Sequence, residues 1–357
     1  MKIYQMVPSL AYGDAIGNNV LALNEALEKA GHQTVIYTEF VDPRIPQEMA
    51  KPVKEYQDHE TNIVIYHLAI GCELNEKVRR FKAHVIIVYH NITPPEFWHA
   101  YNTNTEKLCE YGLETAKNLA EKAELCLAVS EYNKQDLIKL GYTCPIKVLP
   151  ILIAFDDYRK TPSPDIIKKY KNDEYTNIVF TGRVAPNKKH EDLIRSFYYY
   201  KNYINSKARL FLVGSYDEKD LYYKKLKKYV EELELEDVYF TGHIPFGEIL
   251  AYYQIADIFL CLSEHEGFCV PLVEAMYFNV PIIAYDCAAV GETLGMGGIL
   301  LKDKDPKLVA EAINRVVADD ELRKCMSDNE QERLKYFSNE RIQNEFMNIL
   351  NQFIAGE

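Results

Sequence analysis

Short apolar runs alternate with longer amphipathic stretches along most of the chain. MKIYQMVPSL predicts a strand, and AYGDAIGNNVLALNEALEKAGHQTVIYTEF predicts a loop with two glycines, an amphipathic helix and a second strand. The order of strand, helix and strand indicates a βαβ opening with parallel strands. Apolar residues recur at helical spacing before Gly31 ends the helix, at positions Val20, Leu23, Ala26, Leu27 and Ala30.

The same alternation continues through two halves of the chain. NIVIYH, HVIIVYH and AELCLAV predict further strands of the first half, and Ser130 is placed to cap the next helix. Residues 154–172 carry many charges and two prolines, which indicates a linker. A second αβ series follows, with strands predicted at NIVFTGR, RLFLVGS, VYFTGHI, DIFLCLS and VPIIAYD.

This pattern predicts the α/β fold class, with two Rossmann-like domains whose parallel sheets face each other across a cleft. We predict an N-terminal domain over residues 1–158 and a C-terminal domain over residues 159–335. Residues 336–357 predict a final amphipathic helix. Its apolar face carries Ile342, Phe346, Leu350 and Phe353.

Composition and charge argue against nucleic acid, a membrane span and a zinc or disulfide framework. The 357 residues carry a net charge of −12, and no basic face dominates, so nucleic acid is not expected as a partner. The apolar runs are shorter than a membrane span and the first residues predict a strand, so we expect a soluble, cytoplasmic protein. The eight cysteines form no C-x-x-C pair, so neither a zinc site nor a disulfide framework is expected.

A candidate phosphate site lies between two of the predicted strands of the second half. Pro271 suits the first turn of a helix, which we predict from about Pro271 to Phe278. The preceding loop therefore leads into a helix N-terminus, where free N–H groups and the helix dipole favour an anion. That loop consists of Gly267, Phe268, Cys269 and Val270.

Two carboxylates flank this loop, Glu266 and Glu274, eight residues apart. In one interpretation Glu274, placed in the first helical turn, complements the helix dipole, and Glu266 is a solvated loop residue. In the other, both accept hydrogen bonds from sugar hydroxyl groups beside the phosphate site. Composition and spacing alone leave the two interpretations open.

Two histidines end predicted strands of the first half, His67 and His90. Side chains at the carboxyl ends of parallel strands face the crevice where open α/β sheets bind ligands. A purely structural, hydrogen-bonded role is the alternative for each.

A basic loop with Arg183 and Lys188 follows the first strand of the second half. It is either solvated or placed to neutralise a diphosphate leaving group.

The stretch EHEGFCVPLVEAM resembles the E-x7-E signature of retaining glycosyltransferases of the GT-B fold, especially family 4. The resemblance implies that Glu274 holds the donor ribose and that Glu266 contacts the transferred sugar. It also favours His90, because the family pattern carries a histidine near the donor sugar at the end of this strand. In the family, a terminal helix crosses back to the N-terminal domain.

Other stretches resemble further loops of this family. TGRVAPNKKH resembles the G-R-x-x-x-x-K-G loop, with Gly182, Arg183 and Lys188 matching. Lys189 stands where the family usually has glycine, which leaves open whether Lys188 or Lys189 reaches the diphosphate. TGHIP resembles the loop whose backbone, around Ile244, contacts the nucleobase.

The first loop resembles the family loop that approaches the donor diphosphate and the acceptor. It carries Gly13 and Gly17, but it lacks the tight G-x-G-x-x-G spacing of a dinucleotide site. Asp14 in this loop either touches the acceptor or satisfies its own loop as an Asx-turn residue.

These observations predict a retaining hexosyltransferase that uses a nucleotide-diphosphate sugar, either GDP-mannose or UDP-glucose, with a glycan, lipid-linked or small-molecule acceptor. No DxD motif is present, because Asp156 and Asp157 are adjacent, so we expect metal independence and no cofactor besides the donor. No carboxylate nucleophile stands out, and the resemblance implies front-face substitution with help from the leaving phosphate. The alternatives are a nucleotide-sugar epimerase of the same fold and an inert sugar-nucleotide-binding protein.

A cluster of cations in EKVRRFK suggests weak, peripheral contact with the inner face of a membrane. The alternative is a solvated helix end, which the net charge of −12 favours. The cluster consists of Lys77, Arg79, Arg80 and Lys82.

Overall fold

The structure is a computed structural model that describes residues 2–11, 13–171 and 173–356. Met1, Tyr12, Asn172 and Glu357, which fall in the predicted first strand, first loop, linker and last helix, lie outside the described residues. The chain forms two compact units. Unit 1 comprises Met1–Glu96, Asn104–Ala154 and Phe337–Glu357, and unit 2 comprises Phe97–Thr103 and Phe155–Tyr336.

Unit 1 is built on a seven-stranded parallel sheet with the order β3-β2-β1-β4-β5-β6-β7. The strands are β1 Lys2–Leu10, β2 Thr34–Val41, β3 Lys51–Pro52, β4 Asn62–Leu68, β5 His84–Tyr89, β6 Leu125–Ala128 and β7 Ile146–Val148. The helices between them are α1 Ala15–Lys29, α2 Glu73–Arg79, α3 Thr103–Leu119 and α4 Glu131–Lys139. All seven residues of β4 are buried, as expected for a central parallel strand covered on both faces.

Unit 2 has a six-stranded parallel sheet with the order β10-β9-β8-β11-β12-β13. Its strands are β8 Thr176–Thr181, β9 Ala208–Val213, β10 Val238–Gly242, β11 Ile258–Cys261, β12 Ile282–Tyr285 and β13 Ile299–Leu301. Its helices are α5 Pro164–Tyr170, α6 His190–Tyr203, α7 Leu221–Glu232, α8 Phe246–Ile255, α9 Val270–Tyr277, α10 Val290–Leu294, α11 Pro306–Ala318 and α12 Asp320–Tyr336. Two Rossmann-like parallel sheets are therefore confirmed.

The last helix, α13 Asn339–Ala355, belongs to unit 1 and packs against α1. Ile342, Phe346 and Leu350 are buried along the predicted apolar face of this helix. At its start, the Asn339 side chain donates a hydrogen bond of 2.8 Å to the Ile153 carbonyl. The helix is thus fixed to unit 1 by both apolar packing and a backbone contact.

The predicted linker is more ordered than its composition suggested. It contains a 3₁₀ helix, Phe155–Arg159, and helix α5, which both belong to unit 2. Tyr158 and Tyr170 are buried, because these segments turn their aromatic side chains inward and leave the charged ones in solvent. Among the described residues, no helix is long and apolar enough to cross a membrane.

Candidate functional site

The basic loop of unit 2 carries one half of a buried ion pair. After β8, the chain passes through Gly182 and Arg183 into a 3₁₀ turn, Pro186–Lys188. The Lys188 Nζ atom lies 2.5 Å from both carboxylate oxygens of Glu266. Burial disfavours the charge on Lys188, but the Glu266 carboxylate outweighs burial, and the pKa of Lys188 is raised. Lys188 therefore stays a cation inside unit 2.

The neighbouring lysine has a different partner. Lys189 has a left-handed backbone, with φ 52°, and its Nζ atom lies 3.0 Å from Glu264. A left-handed conformation favours glycine, which explains physically why the resembling loops usually have glycine at this position. Lys304 also binds Glu264, at 2.5 Å. Burial of Glu264 is outweighed by these two lysines, which lower its pKa.

Glu266 belongs to the loop after β11, and hydrogen bonds join this loop to Asn187 of the basic loop. The Asn187 side chain donates a hydrogen bond of 2.9 Å to the His265 carbonyl, and the Glu264 N–H donates to the Asn187 carbonyl at 2.9 Å. The loop after β11 is thus hydrogen-bonded to the basic loop directly before both members of the ion pair. Glu266 is only 7% exposed, so its interpretation as a solvated loop residue was wrong.

The loop from Gly267 to Val270 leads into the N-terminus of α9, as predicted, although the helix begins and ends one residue earlier than expected. Cys269 precedes it with φ 73° and its side chain caps no N–H group of the helix. Phe268 is buried, and its carbonyl accepts a hydrogen bond from the Thr293 hydroxyl. This loop places backbone N–H groups at the helix start, an arrangement that suits an anion.

Glu274 is the fifth residue of α9, so its predicted place in the first helical turn was wrong. Its two oxygens accept hydrogen bonds from the Tyr158 hydroxyl at 3.0 Å and the Tyr253 hydroxyl at 2.6 Å. Burial raises the pKa of Glu274, and the two tyrosine hydrogen bonds oppose that rise. Each carboxylate oxygen accepts two hydrogen bonds, so capacity remains for ligand hydroxyl groups.

A sulfur-containing cluster adjoins the ion pair. The ligand atoms of Cys261, Glu266 and Cys269 all lie within 4.8 Å of one another, and no other such cluster is found among the described residues. Two thiolates and a carboxylate suit zinc, but a metal would have to displace Lys188 from Glu266. The expectation of metal independence stays a prediction.

His90 lies in unit 1, directly after β5, and His67 lies within β4. The His90 Nε2 atom is 2.9 Å from the His67 Nδ1 atom, and both side chains are buried. Burial lowers the pKa of His90 to about 3. Burial, together with His90, also holds the pKa of His67 well below its usual value. Both rings are therefore neutral at physiological pH.

The first loop also lies in unit 1. Asp14 caps α1, where its side chain accepts a hydrogen bond of 3.3 Å from the Gly17 N–H. A Cβ atom on Gly17 would lie 2.7 Å from the Ala11 carbonyl oxygen, so only glycine fits there without displacing the backbone. Gly13 has φ 71°, in the left-handed region. Asp14 thus has a local structural role, as the N-cap of α1 rather than as the predicted Asx-turn residue.

The predicted base-contacting loop follows β10. The Ile244 side chain packs against a buried cluster that includes Phe211 and Tyr252, so its backbone rather than its side chain is available to a ligand. Tyr216 lies beside this loop, because its ring would be 3.5 Å from a Cβ atom placed on Gly242.

Two aromatic residues of unit 2 were missed by the sequence analysis. The Arg183 guanidinium lies 5.6 Å from the centre of the Trp98 ring. The ring centres of Phe97 and His265 are 6.1 Å apart. Phe97 also lies 6.0 Å from the Lys189 ammonium. The signal that could have identified this segment is Trp98, the only tryptophan of the chain, four residues after Pro94.

Comparisons with known proteins relate this chain to glycosyltransferases. Residues 163–333 match the family model described as "Glycosyl transferases group 1". The chain is 22% identical over 301 residues to the O-antigen chain mannosyltransferase B of Escherichia coli, covering 82% of this chain and 74% of that protein. Alignments with curated relatives span between 34% and 75% of those proteins' lengths.

Solved structures show the same fold. The sucrose-phosphate synthase of Thermosynechococcus elongatus superposes with a TM-score of 0.79 at 18% identity, over 100% of both chains. Anabaena HepE in complex with UDP-glucose superposes with a TM-score of 0.76 at 18% identity, over 99% of this chain and 100% of that chain. The GT-B fold is thereby confirmed, and the family match and the relatives support a glycosyltransferase.

Proposed function

We propose that this protein is a retaining, metal-independent glycosyltransferase that moves a hexose from a nucleotide-diphosphate sugar to an acceptor hydroxyl. One observation carries the proposal: the buried pair of Lys188 and Glu266 adjoins the loop that opens α9, and Glu274 follows in the same helix. This arrangement combines a fixed cation, a sugar-binding carboxylate and a helix N-terminus.

Departure of a nucleoside diphosphate builds negative charge on its leaving oxygen. In the proposed mechanism Lys188 and Arg183 stabilise this charge, and the N-terminus of α9 binds the diphosphate. Glu266, held by Lys188, accepts hydrogen bonds from the transferred sugar, and Glu274 accepts them from the ribose. The departing phosphate takes the acceptor proton as the acceptor oxygen attacks the same face of the sugar, so configuration is retained.

The absence of a DxD motif, together with these fixed cations, motivates the proposed metal independence. Both lysines pair with a carboxylate, Lys188 with Glu266 and Lys189 with Glu264. Lys188 is proposed for the diphosphate because it holds the lysine position of the family loop that this stretch resembles. His90 is proposed to contact the donor sugar, and Gly13, Gly17, Gly182 and Ile244 complete the donor site through their backbones.

GDP-mannose is the first donor to test, because a relative of this chain is an O-antigen chain mannosyltransferase. UDP-glucose is the second, because the HepE structure contains it. The proposed acceptor is a growing glycan, a lipid-linked sugar or a small molecule. We place the enzyme in the cytoplasm, with weak peripheral contact to the inner membrane face through Lys77, Arg79, Arg80 and Lys82.

The two alternatives, an epimerase and an inert binding protein, are not favoured by the comparisons. They are separated from the proposal by product analysis. An epimerase changes the nucleotide sugar without any acceptor, a glycosyltransferase releases nucleoside diphosphate only as sugar is transferred, and an inert protein does neither.

The experiment that tests the proposal begins with a thermal-shift screen of nucleotide sugars. A ligand at 100 times its dissociation constant stabilises the folded protein by about 2.7 kcal/mol. Stabilising donors are then incubated with candidate acceptors, and the anomeric configuration of the product is determined by NMR. Inversion of configuration would disprove retention, and the absence of stabilisation by every nucleotide sugar would contradict the proposed function.

A further inference from the structure

Three polar side chains form a continuous row of hydrogen bonds across neighbouring strands of unit 1. They are Gln5 on β1, His67 on β4 and His90 after β5. Gln5 pairs in register with Ile65, two residues before His67, and His67 pairs with Val88, two residues before His90. Side chains alternate along a strand, so this register places all three on one face of the sheet, each one closer to the carboxyl edge.

The direction of every hydrogen bond in this row is fixed at its inner end. The Gln5 Nε2 atom donates to the Val20 carbonyl at 2.8 Å, and a carbonyl only accepts. The Gln5 Oε1 atom therefore faces the His67 Nε2 atom, at 2.9 Å. Since Oε1 also only accepts, the proton of neutral His67 must be on Nε2, and its Nδ1 atom carries a lone pair.

The same argument passes to the next ring. The lone pair of His67 Nδ1 faces His90 Nε2 at 2.9 Å, so His90 must donate from Nε2. A neutral histidine has one ring proton, and the His90 Nδ1 atom is therefore an acceptor. This atom is buried and has no hydrogen-bond partner among the described residues. An unsatisfied buried acceptor costs stability, and this one lies where parallel sheets bind ligands.

We propose that Gln5 and His67 are positioning residues that fix the tautomer of His90, so that His90 Nδ1 accepts a hydrogen bond from a hydroxyl group of the ligand. A phosphate or carboxylate oxygen carries no proton to donate and is refused at this atom. The inference deepens the proposed function, on which it rests for the identity of the ligand as a sugar.

The tautomers are measured directly by NMR on the full-length protein labelled with ¹⁵N-histidine. His67→Asn and His90→Asn variants assign the two rings through the signals that disappear. We expect both rings to carry their proton on Nε2 alone in the protein without ligand. A proton on Nδ1 of either ring would overturn the proposed row of hydrogen bonds.

The ligand is tested by adding UDP and GDP, and then UDP-glucose and GDP-mannose. We expect the His90 Nδ1 signal to move with a bound nucleotide sugar and to stay in place with the nucleotide alone. An equal response to the nucleotide alone, or no response to a bound nucleotide sugar, would overturn the hydroxyl assignment. If no nucleotide sugar binds, the proposed function and the hydroxyl assignment fail together, while the ligand-free tautomers are decided independently.

A substitution separates positioning from folding. Gln5→Met keeps the shape but removes the acceptor that orients His67, so both histidines gain a second tautomer. We expect KM for the nucleotide sugar to rise about fivefold, with unchanged affinity for the nucleoside diphosphate. Thr38→Val is the matched control, since it removes the hydroxyl of Thr38, a buried residue of β2 that donates to the Pro8 and Phe40 carbonyls. A similar rise in KM in Thr38→Val would show that Gln5 acts only through the stability of the fold and would contradict its positioning role.

Discussion

The Lys188 ammonium lies 2.5 Å from both oxygens of the Glu266 carboxylate, and Glu266 is nearly inaccessible to solvent. Neither charge can be removed without leaving the other one buried and unpaired. The loss of one partner from such a pair is costly, whereas the loss of both together is tolerated far better.

Lys188→Met and Glu266→Leu are therefore expected to be strongly non-additive. Each single substitution should lower the free energy of unfolding by roughly 3 kcal/mol, and the double substitution should recover most of that loss. Activity should remain absent from all three variants, because both charges are used in the proposed reaction. Denaturant unfolding and turnover measurements test this, and additive losses of stability would contradict the pairing.

Arg183→Ala should lower kcat much more than it weakens binding of the nucleotide sugar, because leaving-group charge grows toward the transition state. Arg195→Ala is the matched control, because Arg195 is an exposed arginine of the same unit that pairs with Asp192. EDTA should leave turnover of the wild-type enzyme unchanged. Loss of activity in EDTA, with recovery in Mg²⁺, would contradict the proposed metal independence.

Tyr158→Phe should weaken binding of the nucleoside diphosphate and shift its pH dependence. The ionised form of Glu274 is the acceptor for ribose, so affinity should fall as the pH is lowered through the Glu274 pKa. Tyr158 stabilises the ionised form. Its loss should move that midpoint to higher pH, as measured by calorimetric titration across pH. Glu266→Gln should leave the affinity for nucleoside diphosphate unchanged, and equal losses in both variants would show that the roles of the two glutamates are wrongly assigned.

Glu330 on α12 should make the fold less stable as the pH rises. Burial raises its pKa to about 9, whereas an unfolded glutamate ionises near pH 4.3. Between these values the unfolded state loses the proton first, so stability should fall by about 1.4 kcal/mol per pH unit from this residue. Glu330→Gln should remove that slope in denaturant unfolding, while Glu332→Gln, on the exposed face of α12, should keep it.

Membrane contact is tested by co-sedimentation with anionic liposomes. Lys77 pairs with Glu39 at 2.9 Å and Arg79 pairs with Glu76 at 3.9 Å, so part of the charge of this cluster is already neutralised. We expect weak binding at low salt that is lost at high salt and in the Arg79→Ala, Arg80→Ala variant. The Lys227→Ala, Lys228→Ala variant, on the exposed surface of α7, should bind as the wild type does. Binding that the arginine substitutions leave unchanged would favour a soluble acceptor.

The apolar runs were sufficient to predict both sheets, because buried parallel strands are nearly continuous in hydrophobicity. Three strands were missed, β3, β7 and β13, and all three have at most three residues and lie at sheet edges. Residues at such edges need little apolar character. A strand of this kind leaves no periodic signal in the sequence.

The site was predicted where its residues are close in sequence, as for Glu266 and the loop that leads into α9. Contacts between distant positions were not accessible in this way. Tyr158 and Glu274 are 116 positions apart in the sequence. Trp98 precedes the predicted linker and Arg183 follows it, yet their side chains are in contact. The hydrogen bonds of Gln5 were also missed, because a single polar residue within a predicted strand gives no indication of what it faces.

The exchange of segments between the units has a consequence for biosynthesis. Unit 1 lacks α13 until residues 337–356 have been made, so the unit that is started first is completed last. Unit 2 needs residues 97–103, whose Tyr101 ring packs 5.0 Å from Tyr222, and these leave the ribosome long before the rest of it. Neither unit can be excised as one uninterrupted stretch of chain, and the protein should fold largely after synthesis rather than domain by domain during it.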